Sequence, residues 1–290
     1  MKTSVKTLSL YVLYALAAVI FFLYQLFPSR TAGHLIVDKL AEIEPLLTVG
    51  ITDAHPAIPL GLKVEPLQIA YAQMPIVQMP YLRLIPSLPT LFGGLKQVSF
   101  NGPLGTGALK GRAEFALSGR RPKNSINLNI TNVPLTAFQI LDQWPGYQLD
   151  GELTAYVDYD SHKGAGGATH VKLDITPAKV ALDPPLMGIE QIDFSQLQAE
   201  MIITPRTVQI KQCEASGQQM QGRVTGSIIL RQPLENSRIA LSCTLKPQPA
   251  FLAEHKNDMI GGLLASGAKQ KRGIILRIAG TLGNPSYVVR

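Results

Sequence analysis

The sequence predicts a mainly β protein: a single N-terminal transmembrane helix followed by a long, curled, mostly antiparallel β-sheet with a few short helices. Three observations predict it. The first is period-two alternation, as in GALKGRAEFALSG, where Leu109, Gly111, Ala113, Phe115 and Leu117 take one parity and Lys110, Arg112 and Glu114 the other. A strand with one buried and one wet face requires this pattern. The second is the connections: Gly, Asn and Pro turn signals separate the alternating runs, with none of the long helical crossovers that a parallel sheet needs. The third is residues 7–29, TLSLYVLYALAAVIFFLYQLFPS, which carry no charge.

That N-terminal run is long enough for a bilayer span, since about 20 apolar residues cross the hydrocarbon core. Lys2 and Lys6 precede it, Arg30 follows it, and Tyr11, Tyr14 and Tyr24 suit the interfaces. The charge bias keeps the N-terminus cytoplasmic and sends the remainder across. A cleaved signal peptide would have a shorter apolar region and a small-x-small site, whereas this run ends in bulky Tyr24-Gln25-Leu26-Phe27-Pro28. The expected organisation is residues 1–30 as cytoplasmic start and anchor, and 31–290 as one β-rich domain beyond the membrane.

After the anchor, TAGHLIVDKLAEIEPLL has the spacing of a short amphipathic helix stopped at Pro45. Residues 55–92 are proline-rich, which predicts short or edge strands around Ile69 and Leu84 and one helical turn in PSLPTLFGG. QVSFNGPLGTGALKGRAEFALSG reads as a hairpin and SINLNITNV as a strand. PLTAFQILDQWPG reads as a short helix, with Pro134 in its first turn and Phe138, Leu141 and Trp144 three apart. GELTAYVDYD and THVKLDITPAKV follow as strands joined by HKGAGGA. IDFSQLQAEMIIT and TVQIKQCEASG turn at Pro205-Arg206, and QGRVTGSIILRQ pairs with SRIALSCTLKP. PAFLAEHKNDMIGGLLASGAK predicts one or two helices, and GIILRIAGTLGNPSYVVR a final strand with a turn at Gly283-Asn284-Pro285.

The chain has 46 % hydrophobic and only 16 % charged residues, with a net charge of +7. Low charge beside high apolarity points to a membrane segment, an apolar groove, or both. The basic residues are scattered. The densest groups are Arg120, Arg121 and Lys123, then Lys269, Lys271 and Arg272; neither is interleaved with aromatics, so a nucleic-acid partner is not expected. An apolar sheet face is covered by a second sheet, by closure into a barrel, or by helices. Few helices are predicted, so a curling sheet leaves a gutter lined by Leu109, Ala113, Phe115, Leu117, Ile228, Leu230, Ile239, Leu241 and Leu276. Such a gutter either closes as core or holds an apolar guest such as phospholipid.

No nucleophile, base and orienter come together in the sequence, and neither G-x-S-x-G nor H-E-x-x-H occurs. An enzyme is not expected, nor a cofactor. Asp158, Asp160 and His162 are alternate residues that could converge on a metal, but a solvated strand end beside a glycine loop accounts for them. Parity puts Cys213 on the polar face of its strand and Cys243 on the apolar face, which argues against a disulfide.

The order of GPLGTGALKGRAEF, PLTAFQILDQWPGYQLDGELTAYVDY, SRIALSCTLKPQP and RIAGTLGNP resembles the type II secretion system protein N family, over about residues 31–285. The closing G-T-L-x-x-P is also similar to AsmA-like proteins, which form apolar β-grooves. The first resemblance implies an inner-membrane-anchored, periplasm-facing accessory that assists export of folded proteins across the outer membrane, with other secretion components as partners. It supplies no catalytic residues. The second implies carriage of phospholipid in an apolar groove.

Overall fold

The computed structural model describes residues 5–25, 29, 31, 33, 37, 47–57, 61–71, 73–90, 94–116, 124–143, 147–163, 166–186, 189–249 and 274–289. The expected helices over 31–47 and 249–269, the basic groups at 120–123 and 269–272, Leu117 and Trp144 lie wholly or mostly outside these residues. The chain divides into two compact units, Met1–Pro86 and Ser87–Arg290.

The first unit contains helix α1 (Val5–Gln25) and strands β1 (Leu47–Ala57), β2 (Gly61–Tyr71), β3 (Met74–Met79) and β4 (Leu82–Pro86). β2 pairs with β1 along one edge; its other edge is shared by β4, opposite Leu62–Val64, and β3, opposite Leu67–Tyr71. Pro66 lacks an N–H, and the β1–β2 register steps over it from Asp53↔Glu65 to Ile51↔Leu67. Ala54, Val64, Leu67 and Met79 are buried. β1 is a strand the sequence did not announce, because Gly50, Asp53, His55 and Pro56 obscure its alternation.

In α1, Leu10, Tyr11, Val12, Leu13 and Tyr14 are all exposed, and five consecutive residues take in the whole circumference of a helix. Among the described residues no helix is long and apolar enough to cross a membrane. α1 includes Lys6 and ends at Gln25, short of the end of the uncharged run 7–29. The β part of the predicted fold class is therefore what the structure has; a membrane-crossing helix is not among its described elements.

The second unit is an open antiparallel sheet. Its strands are β5 (Leu95–Leu104), β6 (Gly107–Ala116), β7 (Asn124–Pro134), β8 (Tyr147–Asp160), β9 (Ala168–Leu186), β10 (Ile189–Phe194), β11 (Gln196–Ile203), β12 (Thr207–Ser216), β13 (Met220–Ile229), β14 (Arg238–Pro247), β15 (Ile274–Thr281) and β16 (Pro285–Val289). Within the unit the order is β5-β6-β7-β8-β9-β11-β12-β13-β14-β15-β16. β9 is long enough to hold β11 and β10 end to end on one edge, the two being separated only by Ser195. Gly105, at φ +57°, makes the tight β5–β6 turn that an L side chain would strain.

Directly opposed residues of an antiparallel pair face the same side, so the registers define the faces. One face carries Val98 and Phe100 on β5, Leu109 and Ala113 on β6, Ile126, Leu128 and Ile130 on β7, and continues through Val157, Leu173, Met201, Ile210 and Val224 to Leu241, Leu276 and Ile278. It is closely packed at one end, where Leu135, Ile175, Ala178, Phe194, Met220 and Ile274 form a buried cluster. Elsewhere most of its residues are only half-buried. At Gly111 the Phe100 ring lies so close that an added Cβ would meet it at 2.3 Å, so the glycine provides the seat for the ring.

Two expectations are corrected. PLTAFQILDQWPG is two 3₁₀ turns, Leu135–Ala137 and Leu141–Gln143, rather than one helix. Phe138 adopts an extended backbone between them, and both Phe138 and Leu141 pack on the buried cluster. So short a helix is marginal unless packing favours it, and here packing favours the broken form. Cys213 lies on the apolar face, opposite Val224. A bulge in β12 between Ile210 and Cys213 inserts one residue and inverts the parity that the sequence suggested.

Both thiols consequently flank Val224, Cys213 on β12 and Cys243 on β14. They are free. Two strand spacings, about 9.6 Å between Cα atoms, exceed disulfide reach. Burial pushes both thiols up; the Glu214 carboxylate adds to this at Cys213, and Cys213 adds to it at Cys243. A short bis-maleimide should therefore link Cys213 to Cys243 within the folded chain, sluggishly at neutral pH and faster as the pH rises toward the thiol range. Mass spectrometry of the cross-linked peptide reads this out. Absence of the link at high pH, with each thiol singly labelled, would disprove the shared face.

Candidate functional site

The sheet offers two surfaces. On the apolar side, the expected groove residues fall into two groups on one face. Leu109 and Ala113 sit together on β6. Ile228 is opposite Ile239, and Leu241 and Leu276 each lie beside Cys243, on the β13–β15 part. Six strand spacings, about 29 Å, separate the groups. Between them the face is completed by Leu128, Val157, Leu173, Met201 and Ile210. The alternation in SINLNITNV, GELTAYVDYD and THVKLDIT was the signal for several of these. Phe115 has the expected parity and is 38 % exposed, opposing Asn124 where β7 begins. Leu230 lies one residue beyond β13, where its N–H donates to the Arg206 carbonyl. Ala113 alone of the nine is buried among the described residues.

The opposite face is polar and carries side-chain networks across the strands. Gln97 donates to Glu114 over 2.9 Å, with Ser125 on the other carboxylate oxygen. Asn127 donates to Asp158, which also pairs with Lys163 at 3.2 Å. Arg223 pairs with Glu214. Asp174 accepts from Thr176 at 2.8 Å, from Gln196 at 2.6 Å and from Gln198 at 2.8 Å. Burial alone would raise the Asp174 carboxyl, but the donors Gln198, Thr176 and Gln196 together hold it below its ordinary value.

Asp158, Asp160 and His162 do not converge as metal ligands. Asp158 is taken by Asn127 and Lys163, and Asp160 accepts from the His162 backbone N–H at 2.9 Å. Among the described residues no group of three His, Cys, Asp or Glu side chains could hold an ion.

Two recesses open on the polar face. One, of about 460 Å³, spans β7, β8, β9, β11 and β12 and includes Asn129, Tyr156, Lys172, Asp174 and Glu200. A second, about 430 Å³, holds the Glu214–Arg223 pair. Sequence reasoning missed the first recess. Its residues come from five strands, and only the register brings them into line.

Comparison of the chain with protein-family models, with curated proteins and with solved structures gives no match.

Proposed function

We propose that this chain is a structural accessory of a type II secretion machine, facing the periplasm and held at the inner membrane by its uncharged run 7–29. The order of its glycine-punctuated motifs supports that machine. The exposed apolar circumference of α1, which holds the larger part of the run, supports the membrane association. The observation that carries an accessory role is the half-exposed apolar face running from β5 to β16. An exposed apolar surface of this kind suits binding a partner. Deleting the gene should trap secreted enzymes in the periplasm, assayed by fractionation, and restoring it should release them. Unimpaired secretion in the deletion would defeat the reading.

A second reading is that the apolar face carries phospholipid, as in AsmA-like proteins. The exposure of that face favours it. A photoreactive residue at Leu241 or Leu276, with Arg112 and Arg238 on the polar face as controls, separates the readings in living cells. Lipid adducts at the apolar positions alone support carriage; protein adducts at the polar positions alone support a docking scaffold.

A further inference from the structure

Asn129, Tyr156, Lys172, Glu200 and Gln212 are successive cross-strand partners, one from each of β7, β8, β9, β11 and β12. They form a straight rung across the recess of about 460 Å³, inside the range of small-molecule sites. None of the five side chains makes a hydrogen bond or ion pair, whereas the neighbouring rungs are linked through Asn127–Asp158, Asp174–Gln198 and Glu214–Arg223. Lys172 and Glu200 oppose each other directly and still do not pair. Below them Asp174, saturated by Thr176, Gln196 and Gln198, fixes one wall.

Tyr156, between Asn129 and Lys172 on this rung, is 42 % exposed. Among the described residues it is the one Phe, Tyr or Trp side chain on the polar face of β5–β16. The set has a flat apolar ring, two amides that donate and accept, one ammonium and one carboxylate. Mixed charge disfavours a phosphate or a nucleic acid. A peptide has no backbone to pair with, because the ladders of these five strands are complete. A sugar fits: its C–H face stacks on the ring, and its hydroxyls both donate and accept.

We propose that this recess binds carbohydrate, with Tyr156 as the stacking platform and Asn129, Lys172, Glu200 and Gln212 as hydrogen-bonding partners of the hydroxyls. The site lies on the face opposite the apolar one and is independent of the secretion reading.

The test is isothermal titration of the full chain, in a zwitterionic detergent free of sugar headgroups, with chitotetraose, cellotetraose and maltotetraose. At least one should bind. For that saccharide Tyr156→Ala should raise Kd at least about tenfold, the loss of roughly 1.4 kcal/mol. Tyr156→Phe should keep it within about twofold, since the ring remains, and Leu241→Asp on the opposite face should leave it unchanged. Glu200→Gln and Gln212→Ala should each weaken it several-fold. Absence of binding by all three saccharides would overturn the proposal, as would affinity that survives Tyr156→Ala in a chain with an unchanged circular dichroism spectrum.

Discussion

Gly226→Val will unfold the β12–β14 part of the sheet at denaturant concentrations the parent chain withstands. Gly226 sits at φ +141°, beside the β12 bulge, between Ile210 and Leu241. A Cβ there would lie 2.2 Å from the Ala240 carbonyl oxygen and 2.8 Å from the Leu241 Cα. Both obstacles are backbone, so relief requires moving β14 away from β13 and breaking their ladder. Backbone strain of this kind costs about 1–3 kcal/mol, and a β-branched residue stands at or above the upper end. Against a typical stability of about 5–15 kcal/mol, that is a large fraction. Gly222 provides the control. It lies on the same face and strand, but its Cβ would meet only Leu245 Cδ2 at 3.6 Å and Ala215 Cβ at 3.8 Å, ordinary contact distances. Gly222→Ala should be neutral or stabilise by about 0.5 kcal/mol. Urea unfolding followed by circular dichroism compares the two; equal midpoints would refute the account of the bulge.

On the phospholipid reading, Leu241→Asp will abolish association of lipid with the β13–β15 part of the face while the chain still folds. Leu241 is half-buried, opposite Gly226 on one side and Ile278 on the other. A carboxylate there keeps contact with water, so its cost to stability is about 1–2 kcal/mol, mainly the lost burial of leucine. To an apolar guest it presents a charge to be desolvated, a far larger penalty. Photo-adducts of phospholipid at position 276 should then disappear, with Leu241→Met as the volume-conserving control. Adducts undiminished by the aspartate would rule the face out as the place of contact.

The sequence revealed most of the strands because charge and apolarity alternate plainly in them. Leu109 to Phe115 and Ile274 to Ile278 show their faces without help from neighbours. Cys213 did not, since a single inserted residue in β12 leaves no local mark on composition yet reverses every position after it. β1 was hidden for a different reason: Asp53 and His55 break its alternation, and it is the ladder with β2 that makes the segment a strand. The helical period of Phe138 and Leu141 was real, but the buried cluster selected turns that bring both rings and branches onto it. The polar rung through Tyr156 is a property of register, and register depends on bulges and turns distributed over some 80 residues. No window of sequence contains it.

From β5 to β9 and from β11 to β16 each strand pairs with the strand that precedes it in the chain. Most contacts are therefore local for a β protein, the widest gap being residues 248–273 between β14 and β15. A chain delivered N-terminus first can add strands to a finished edge one at a time, in the manner of a zip. The sheet of this unit is in that sense a tape rather than a vessel. Its length is set by how many hairpins have been appended, and a hairpin gained or lost near β16 changes the reach of the surface without disturbing what was laid down before it.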